Sequence, residues 1–177
     1  MPRNRNLSAN PRKISLAAML AAFTLLFLYI ASIIPSGKFA MYFLSSVFIS
    51  ALLVEYETGL AFLMFVAVSL LSLLILPDRT RVLYYILFFG HYGIGKHYIE
   101  KIKDKVVAFV VKLLYFNAAM GLMYILATKL FLADTVSTLP IWALLVIAQV
   151  VFVIYDYLYS LVTEFYYQRL RKWLIRS

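Results

Sequence analysis

Three long uncharged stretches in the first half of the chain constrain its fold more than any other feature. They run from Ile14 to Ile34, from Phe39 to Val54 and from Gly59 to Leu76, which makes 21, 16 and 18 residues. A helix needs about 20 apolar residues to cross the hydrocarbon core of a bilayer, with a range of roughly 17 to 25. Each stretch is long enough to cross or nearly cross, so we expect a helical protein with a lipid bilayer as its solvent.

The composition agrees with this expectation. The chain is 64% hydrophobic and only 14% charged, whereas a soluble domain is about 45–50% apolar and about 25% charged. Its 177 residues suit a single membrane domain, 1–177. Because the chain has no cysteine, disulfides, thiolate metal sites and cysteine nucleophiles are excluded.

Three further helices are expected in the second half. Helix 4 covers Val82 to Gly95 and extends to Ile99 if Lys96 reaches towards the headgroups. Helix 5 covers about Val106 to Leu132, and helix 6 runs from Ile141 to about Leu161. These apolar runs are continuous and do not alternate like the strands of a membrane barrel. The predicted fold is an all-α bundle of six transmembrane helices, residues 14–161, between a basic N-terminus, 1–13, and a basic aromatic interfacial tail, 162–177.

The basic residues predict the orientation of this bundle. With six spans, twelve Lys and Arg residues fall on the side of the two termini and four on the other, with Lys112 left out because it lies inside helix 5. The positive-inside rule therefore places both termini in the cytoplasm, in a multi-pass protein of the plasma membrane. The net charge of +9 then reflects topology and contact with anionic lipid, and no basic helix face indicates a nucleic-acid partner.

The charged N-terminus before the first apolar run also resembles a signal peptide. However, the run exceeds the usual apolar region of about 7–15 residues, and no small-residue cleavage site follows it. We therefore expect an uncleaved first helix.

Residues 90–96, Gly-His-Tyr-Gly-Ile-Gly-Lys, fit the spacing of a phosphate-binding loop. Such a loop continues with Ser or Thr, which binds magnesium, and lies in an α/β sheet. Here His97 follows, and no such sheet is expected. The glycines are better explained by a membrane helix whose neighbours approach closely.

Two histidines and a glutamate lie in or just after helix 4. Only His97 and Glu100 share a helix face, and two ligands make a weak metal site, so we expect no metal and no cofactor. His91 falls near the middle of the helix, where polar side chains usually face the bundle interior or a wet cavity. Two interpretations of His91 stay open, a pocket lining and a structural hydrogen bond.

Four polar or charged side chains lie within helices 5 and 6. Asn117 and Gln149 suit either ligand hydrogen bonding or contact between the helices. Lys112 and Asp156 lie at similar distances from the inner ends of antiparallel helices, and each would be costly alone in lipid. We therefore predict a structural ion pair between Lys112 and Asp156.

Helix 1 carries two pairs of alanines four residues apart, Ala17 with Ala21 and Ala18 with Ala22. Small residues at this spacing let helices touch closely, either within the subunit or against a partner membrane protein. Aromatic residues crowd the outer half, where they form either an interfacial belt or the wall of a ligand pocket. They are Tyr84, Tyr85, Phe88, Phe89, Tyr124 and Trp142.

The chain from Lys13 onward resembles the substrate-binding S-components of energy-coupling-factor (ECF) vitamin transporters. The resemblance is carried by residues 12–15, Arg-Lys-Ile-Ser, by the alanine pairs, by residues 33–37, Ile-Ile-Pro-Ser-Gly, and by the link 55–59, Glu-Tyr-Glu-Thr-Gly. It implies a membrane subunit that captures a vitamin or similar micronutrient from outside. It also implies that the alanine face docks on a transmembrane coupling subunit, with ATP hydrolysis in separate cytoplasmic ATPases.

On this basis the leading hypothesis is the substrate-capture subunit of a multi-subunit importer. The small-molecule ligand would lie in the outer half, and its candidate contacts are Lys38, Tyr84, Tyr85, His91, Asn117, Tyr124 and Gln149. The alternative is a non-transporting membrane protein that scaffolds an envelope assembly. We do not expect an enzyme, because the sequence has no convincing acid–base or nucleophile constellation.

Overall fold

The computed structural model describes residues 11–55, 58–130 and 141–170, and all regular structure within them is helical. The helices are α1 (Pro11–Ile33), α2 (Lys38–Glu55), α3 (Thr58–Ile75), α4 (Arg79–Tyr84), α5 (Gly90–Ile99), α6 (Lys105–Leu130) and α7 (Ile141–Phe165). A π-helical turn, Tyr85–Phe89, joins α4 to α5, and a second, Tyr166–Leu170, extends α7.

Five of the helices in the described part of the chain are long and apolar enough to cross a membrane. Their candidate spans are Pro11–Ile33, Lys38–Glu55, Thr58–Ile75, Lys105–Leu126 and Trp142–Gln168. Many of their large apolar side chains are exposed at the surface of the bundle, as a lipid environment requires. The protein is therefore a helical multi-pass membrane protein by composition and architecture.

Predicted helix 4 is present but is built from three segments. The run Arg79–Ile99 is helical throughout, yet the π-helical turn divides it into pieces of six, five and ten residues. We call this run the composite helix. It begins three residues before the predicted Val82 and ends at Ile99, so the longer of the two predicted extents is confirmed.

Individual residues stabilise two of the connections between helices. Gly37 adopts a φ of +80° between α1 and α2, a backbone conformation that residues with a Cβ rarely adopt. Asp104 accepts hydrogen bonds from the backbone N–H groups of Val106 (2.8 Å) and Val107 (3.3 Å) and thereby caps the start of α6.

One predicted helix end needs correction in the C-terminal part of the chain. Helix 6 continues past Leu161 to Phe165 and then through the π-helical turn to Leu170, so the first part of the predicted interfacial tail, 162–177, is a helical extension. The predicted end of helix 5 at Leu132 and the rest of the predicted tail, residues 171–177, lie outside the described residues, as do residues 1–10, 56–57 and 131–140.

The core forms around α2, which packs against α1, α3, α5 and α7. Its buried face carries small residues, among them Ser45, Ser46 and Ser50, and small residues let membrane helices approach closely. Each of these serine hydroxyls donates a hydrogen bond of 2.7 Å to the carbonyl three residues earlier. The polar groups are therefore satisfied within the helix and do not disturb its packing.

A cluster of aromatic rings packs the composite helix against α6 and α7. Phe116 of α6 stacks on Phe152 of α7 with ring centroids 4.4 Å apart, and both rings contact Phe88 in the π-helical turn. The cluster continues through Tyr92 and Tyr159. These rings lie directly beside the charged residues described next.

Candidate functional site

Four charged side chains meet where α5, α6 and α7 face one another, and we call them the ionic cluster. They are Lys96, Glu100, Lys112 and Asp156. The predicted ion pair is present, since Lys112 Nζ lies 3.1 Å from Asp156 Oδ2. Glu100 Oε1 lies 2.8 Å from Lys112 Nζ and 3.4 Å from Lys96 Nζ. Two lysines and two carboxylates therefore balance in formal charge.

Lys96 was expected to reach towards the headgroups, and this expectation is wrong. The residue is only 4% exposed, and its ammonium group donates to the Asp156 carboxylate, to the Asp156 carbonyl (3.0 Å) and to Ser160 Oγ (2.6 Å). An ammonium group has three protons, so all of its donors are used. The sequence did not reveal that Asp156 is also the partner of Lys96; its carboxylate contacts both Lys96 and Lys112.

The cluster is held in place by groups that are themselves buried. Tyr92, which is fully buried, donates a 2.6 Å hydrogen bond to Asp156 Oδ1. Lys112 is 8% exposed. A single charge costs roughly 2.5–3.5 kcal/mol at the centre of a bilayer on insertion scales and less towards its surfaces; mutual pairing reduces that cost for this cluster, which lies near the C-terminal end of α5. Charged residues in such positions are commonly functional.

A cavity of about 380 Å³ borders the ionic cluster between α2, α5 and α7, and we call it the α2–α5–α7 cavity. Its apolar wall includes Leu53 and Val54 of α2. The polar and charged residues that line it are Ser50, Lys96, His97, Glu100, Ser160, Thr163 and Glu164. A cavity between bundle helices with a few convergent polar groups is a typical small-molecule site.

The ends of these helices locate the cavity within the bundle. It lies at the C-terminal ends of α2, α5 and α7, whereas the expected ligand contacts Lys38, Tyr84 and Tyr85 lie in the first halves of α2 and of the composite helix. The cavity is therefore at the end opposite to the one where the sequence predicted a pocket. His97 and Glu100 do share a face and both line it, but among the described residues no group of three or more potential ligands is placed to hold a metal ion.

The glycines of residues 90–96 each accommodate an aromatic ring. A Cβ at Gly90 would lie 2.6 Å from the Phe65 ring, one at Gly93 would lie 2.0 Å from Tyr159 Oη, and one at Gly95 would lie 3.1 Å from Tyr115. The segment is α-helical, so its backbone N–H groups do not form the open loop that surrounds a phosphate. The close-packing interpretation accounts for the glycines.

His91 has a structural partner. Its Nδ1 shares a hydrogen bond with the hydroxyl of Tyr115, and its ring meets the Phe65 and Tyr115 rings edge to face at 5.7 and 5.6 Å. Neither cavity described here is lined by His91. The hydrogen-bond interpretation therefore has direct support in the structure.

Asn117 and Gln149 are brought together, with Gln149 Nε2 donating to Asn117 Oδ1 at 2.8 Å. The pair lines an open, otherwise apolar groove of about 460 Å³ between α6 and α7. Both interpretations of these amides survive, because the pair joins two helices and also borders a groove.

The remaining outer-half candidates do not join that groove. Tyr84 is exposed and meets Tyr42 edge to face at 6.0 Å, while Tyr85 is fully buried against Phe65 at 6.1 Å. Tyr124 is exposed on α6 and Lys38 begins α2. Neither described cavity is lined by any of these four candidates.

The two alanine pairs of α1 separate by face. Ala17 and Ala21 are partly buried against the core, whereas Ala18 and Ala22 are exposed. Packing within the subunit therefore accounts for the first pair. The second pair remains available to a neighbour.

Fold and site together define a helical multi-pass membrane protein with a charged, partly open cavity between α2, α5 and α7. No family model, curated protein or solved structure matches the chain. The geometry of the site and the sequence are accordingly the basis of the functional argument that follows.

Proposed function

We propose that this protein is the solute-binding membrane subunit of a multi-subunit, ECF-type importer. The observation that carries the proposal is the α2–α5–α7 cavity, whose wall includes a lysine that is 4% exposed and paired with carboxylates inside the bundle. A charge network of this kind is costly to keep in a membrane and is typical of solute and ion pathways.

The proposal includes a six-span topology with both termini in the cytoplasm. The 21 residues of the composite helix would rise about 32 Å if all were α-helical, close to the hydrocarbon thickness of about 30 Å. The lysine-rich loop between α5 and α6 then lies inside, and so does the mouth of the α2–α5–α7 cavity. The solute site is thus shifted from the outer half, where the resemblance put it, to the side where an importer releases its cargo.

The proposed coupling subunit docks on the exposed alanine pair of α1. Ala18 and Ala22 expose a smooth strip against which another helix can approach closely. ATP hydrolysis is assigned to separate cytoplasmic subunits, and the vitamin or related micronutrient would be the bound solute.

The test is to purify the chain in mild detergent and identify retained small molecules by mass spectrometry. Thr163 lines the cavity, so Thr163→Phe is expected to fill it and to abolish retention of a solute. Leu161→Phe is the matched control, because Leu161 is exposed on the same helix. Retention that is equal in both variants would place the solute elsewhere.

The alternative is the envelope scaffold that does not transport. This alternative is favoured because the expected ligand contacts of the outer half do not form one pocket. Tyr85 packs into the core, whereas Tyr124 is exposed. If no solute is retained, while the chain still associates with other membrane proteins through the Ala18 and Ala22 face, the scaffold is the better account.

A further inference from the structure

We propose that the ionic cluster is an anion site. In this site a carboxylate or phosphate group of the solute displaces the Glu100 carboxylate and takes its position beside the lysines. The inference rests on the proposed solute-binding function and names the class of solute. It starts from a difference between the two carboxylates that neutralise the lysines.

Asp156 is fixed by several partners. Its Oδ1 accepts hydrogen bonds from Tyr92 at 2.6 Å, from Lys96 and from Lys112 at 3.3 Å. Its Oδ2 lies 3.1 Å from Lys112. The side chain is only 16% exposed, so Asp156 cannot leave without stranding three buried donors.

Glu100 is held less firmly than Asp156, so another anion can displace its carboxylate. It follows the last residue of α5, its side chain is 49% exposed, and its ion-pair contacts to Lys112 and Lys96 use Oε1 alone. The carboxylate can rotate towards water without breaking a helical hydrogen bond. Glu100 lines the α2–α5–α7 cavity, whereas Lys112, which it contacts at 2.8 Å, does not, so departure of Glu100 would open Lys112 to a molecule bound in the cavity.

The charge balance then decides what that molecule must carry. Without Glu100, the two ammonium groups of Lys96 and Lys112 face the single carboxylate of Asp156, which leaves a net charge of +1 in the cluster. An uncompensated charge buried in a bundle is strongly unfavourable, so one negative charge is favoured at the vacated position. A solute carboxylate or phosphate supplies it, with the hydroxyl groups of Ser160 and Thr163 on the same wall.

The experiment uses four probes that share an aromatic ring and differ in charge: benzoate, phenyl phosphate, benzylamine and benzyl alcohol. Binding to the purified full chain is measured by calorimetry for the wild type and for Glu100→Gln, a neutral side chain of the same shape. We expect Glu100→Gln to bind benzoate or phenyl phosphate at least tenfold more tightly than the wild type does, with benzylamine and benzyl alcohol unchanged.

Two further variants isolate the lysine and the position. Adding Lys112→Met to Glu100→Gln leaves Lys96 and Asp156 as a balanced pair, so the protein should still fold while the gain in anion affinity disappears. Asp78→Asn removes a carboxylate between α3 and α4, which pairs with Arg81 at 2.6 Å and lines neither cavity described here. Its effect on benzoate affinity should be less than twofold.

The anion could come from a lipid headgroup or from a free solute. These two sources are distinguished by reconstituting Glu100→Gln with phosphatidylglycerol or with phosphatidylcholine. Retained phosphatidylglycerol that benzoate does not displace assigns the site to a lipid phosphate, and displacement assigns it to a free solute.

The inference is overturned if Glu100→Gln binds neither anion more tightly, or if Lys112→Met does not reverse the gain. Tight binding of benzylamine or benzyl alcohol alone would keep the solute-binding function and reject the anion class, whereas no binding and no retained solute would reject both.

Discussion

At the scale of single residues, Gly93 tests how closely α5 and α7 are packed. In Gly93→Ala the new Cβ would lie 2.0 Å from Tyr159 Oη, and Tyr159 is buried and donates a 3.2 Å hydrogen bond to the Ser46 carbonyl. Overpacking of this kind costs about 1–3 kcal/mol. We expect thermal unfolding in detergent to show that loss.

The same experiment has a matched control and a rescue. Gly121→Ala in α6 meets nothing within 4 Å and should change stability by no more than about 1 kcal/mol, in the stabilising direction. Tyr159→Phe removes the clashing oxygen, so it should be less harmful in the Gly93→Ala background than alone. Additive effects of the two changes would contradict this contact.

Asp156 carries a larger share of the stability. Asp156→Asn removes the carboxylate that contacts both Lys96 and Lys112, and breaking a buried ion pair on one side costs about 3–5 kcal/mol. Tyr92→Phe removes a single hydrogen bond to that carboxylate, for which about 1.5–3 kcal/mol is typical. Unfolding measured by denaturant titration should rank the two variants in this order. If Asp156→Asn proves as stable as the wild type, the ionic cluster is not structural.

Part of this site was predictable from single residues. The spacing of Lys112 and Asp156 on antiparallel helices indicates an ion pair without any structure. Lys96 and Glu100 were missed because position along the chain does not reveal whether a lysine near a helix end points to headgroups or into the bundle. One signal was present, since Lys96 and Glu100 are four residues apart on one helix face, the face that also carries Tyr92.

At the scale of helices, α1 contains a matched pair of experiments. Leucines at the partly buried Ala17 and Ala21 should overpack the contact with the core and destabilise the protein by about 1–3 kcal/mol. Leucines at the exposed Ala18 and Ala22 should change stability by less than about 0.5 kcal/mol and should abolish association with the proposed coupling subunit. Stability is measured by thermal unfolding, and association by co-purification from native membranes. Loss of stability in both double variants would show that both faces pack within the subunit.

The helices were more predictable than their joints. The three uncharged stretches of the first half form helices within a few residues of their predicted ends, because a chain that crosses lipid must satisfy its own backbone hydrogen bonds. The π-helical turn at Tyr85–Phe89 was not predicted; Tyr85, Phe88 and Phe89 are buried together there, and such packing is not visible in a hydrophobicity pattern. That pattern also did not show that α7 continues past Leu161 along the α2–α5–α7 cavity, where Thr163 contacts Ser50.

At the scale of the whole molecule, the decisive quantity is the number of times the chain crosses the membrane. The chain has no cysteine, so single cysteines at exposed loop positions report their side with a membrane-impermeant thiol reagent. Ser36→Cys lies between α1 and α2, Pro77→Cys lies between α3 and α4, and Lys103→Cys lies between α5 and α6. If the composite helix spans the membrane, positions 36 and 77 label from outside intact cells and position 103 labels only after lysis.

The labelling result also decides where the proposed solute site opens. The α2–α5–α7 cavity and the loop containing Lys103 lie at the same end of the bundle, so protection of position 103 in intact cells places the cavity mouth in the cytoplasm. Labelling of positions 77 and 103 from the same side would mean that the composite helix does not cross. The count would then fall to five spans, and the termini would lie on opposite faces of the membrane. The ionic cluster would no longer face the cytoplasm, which the assignment of the cavity to the release side requires.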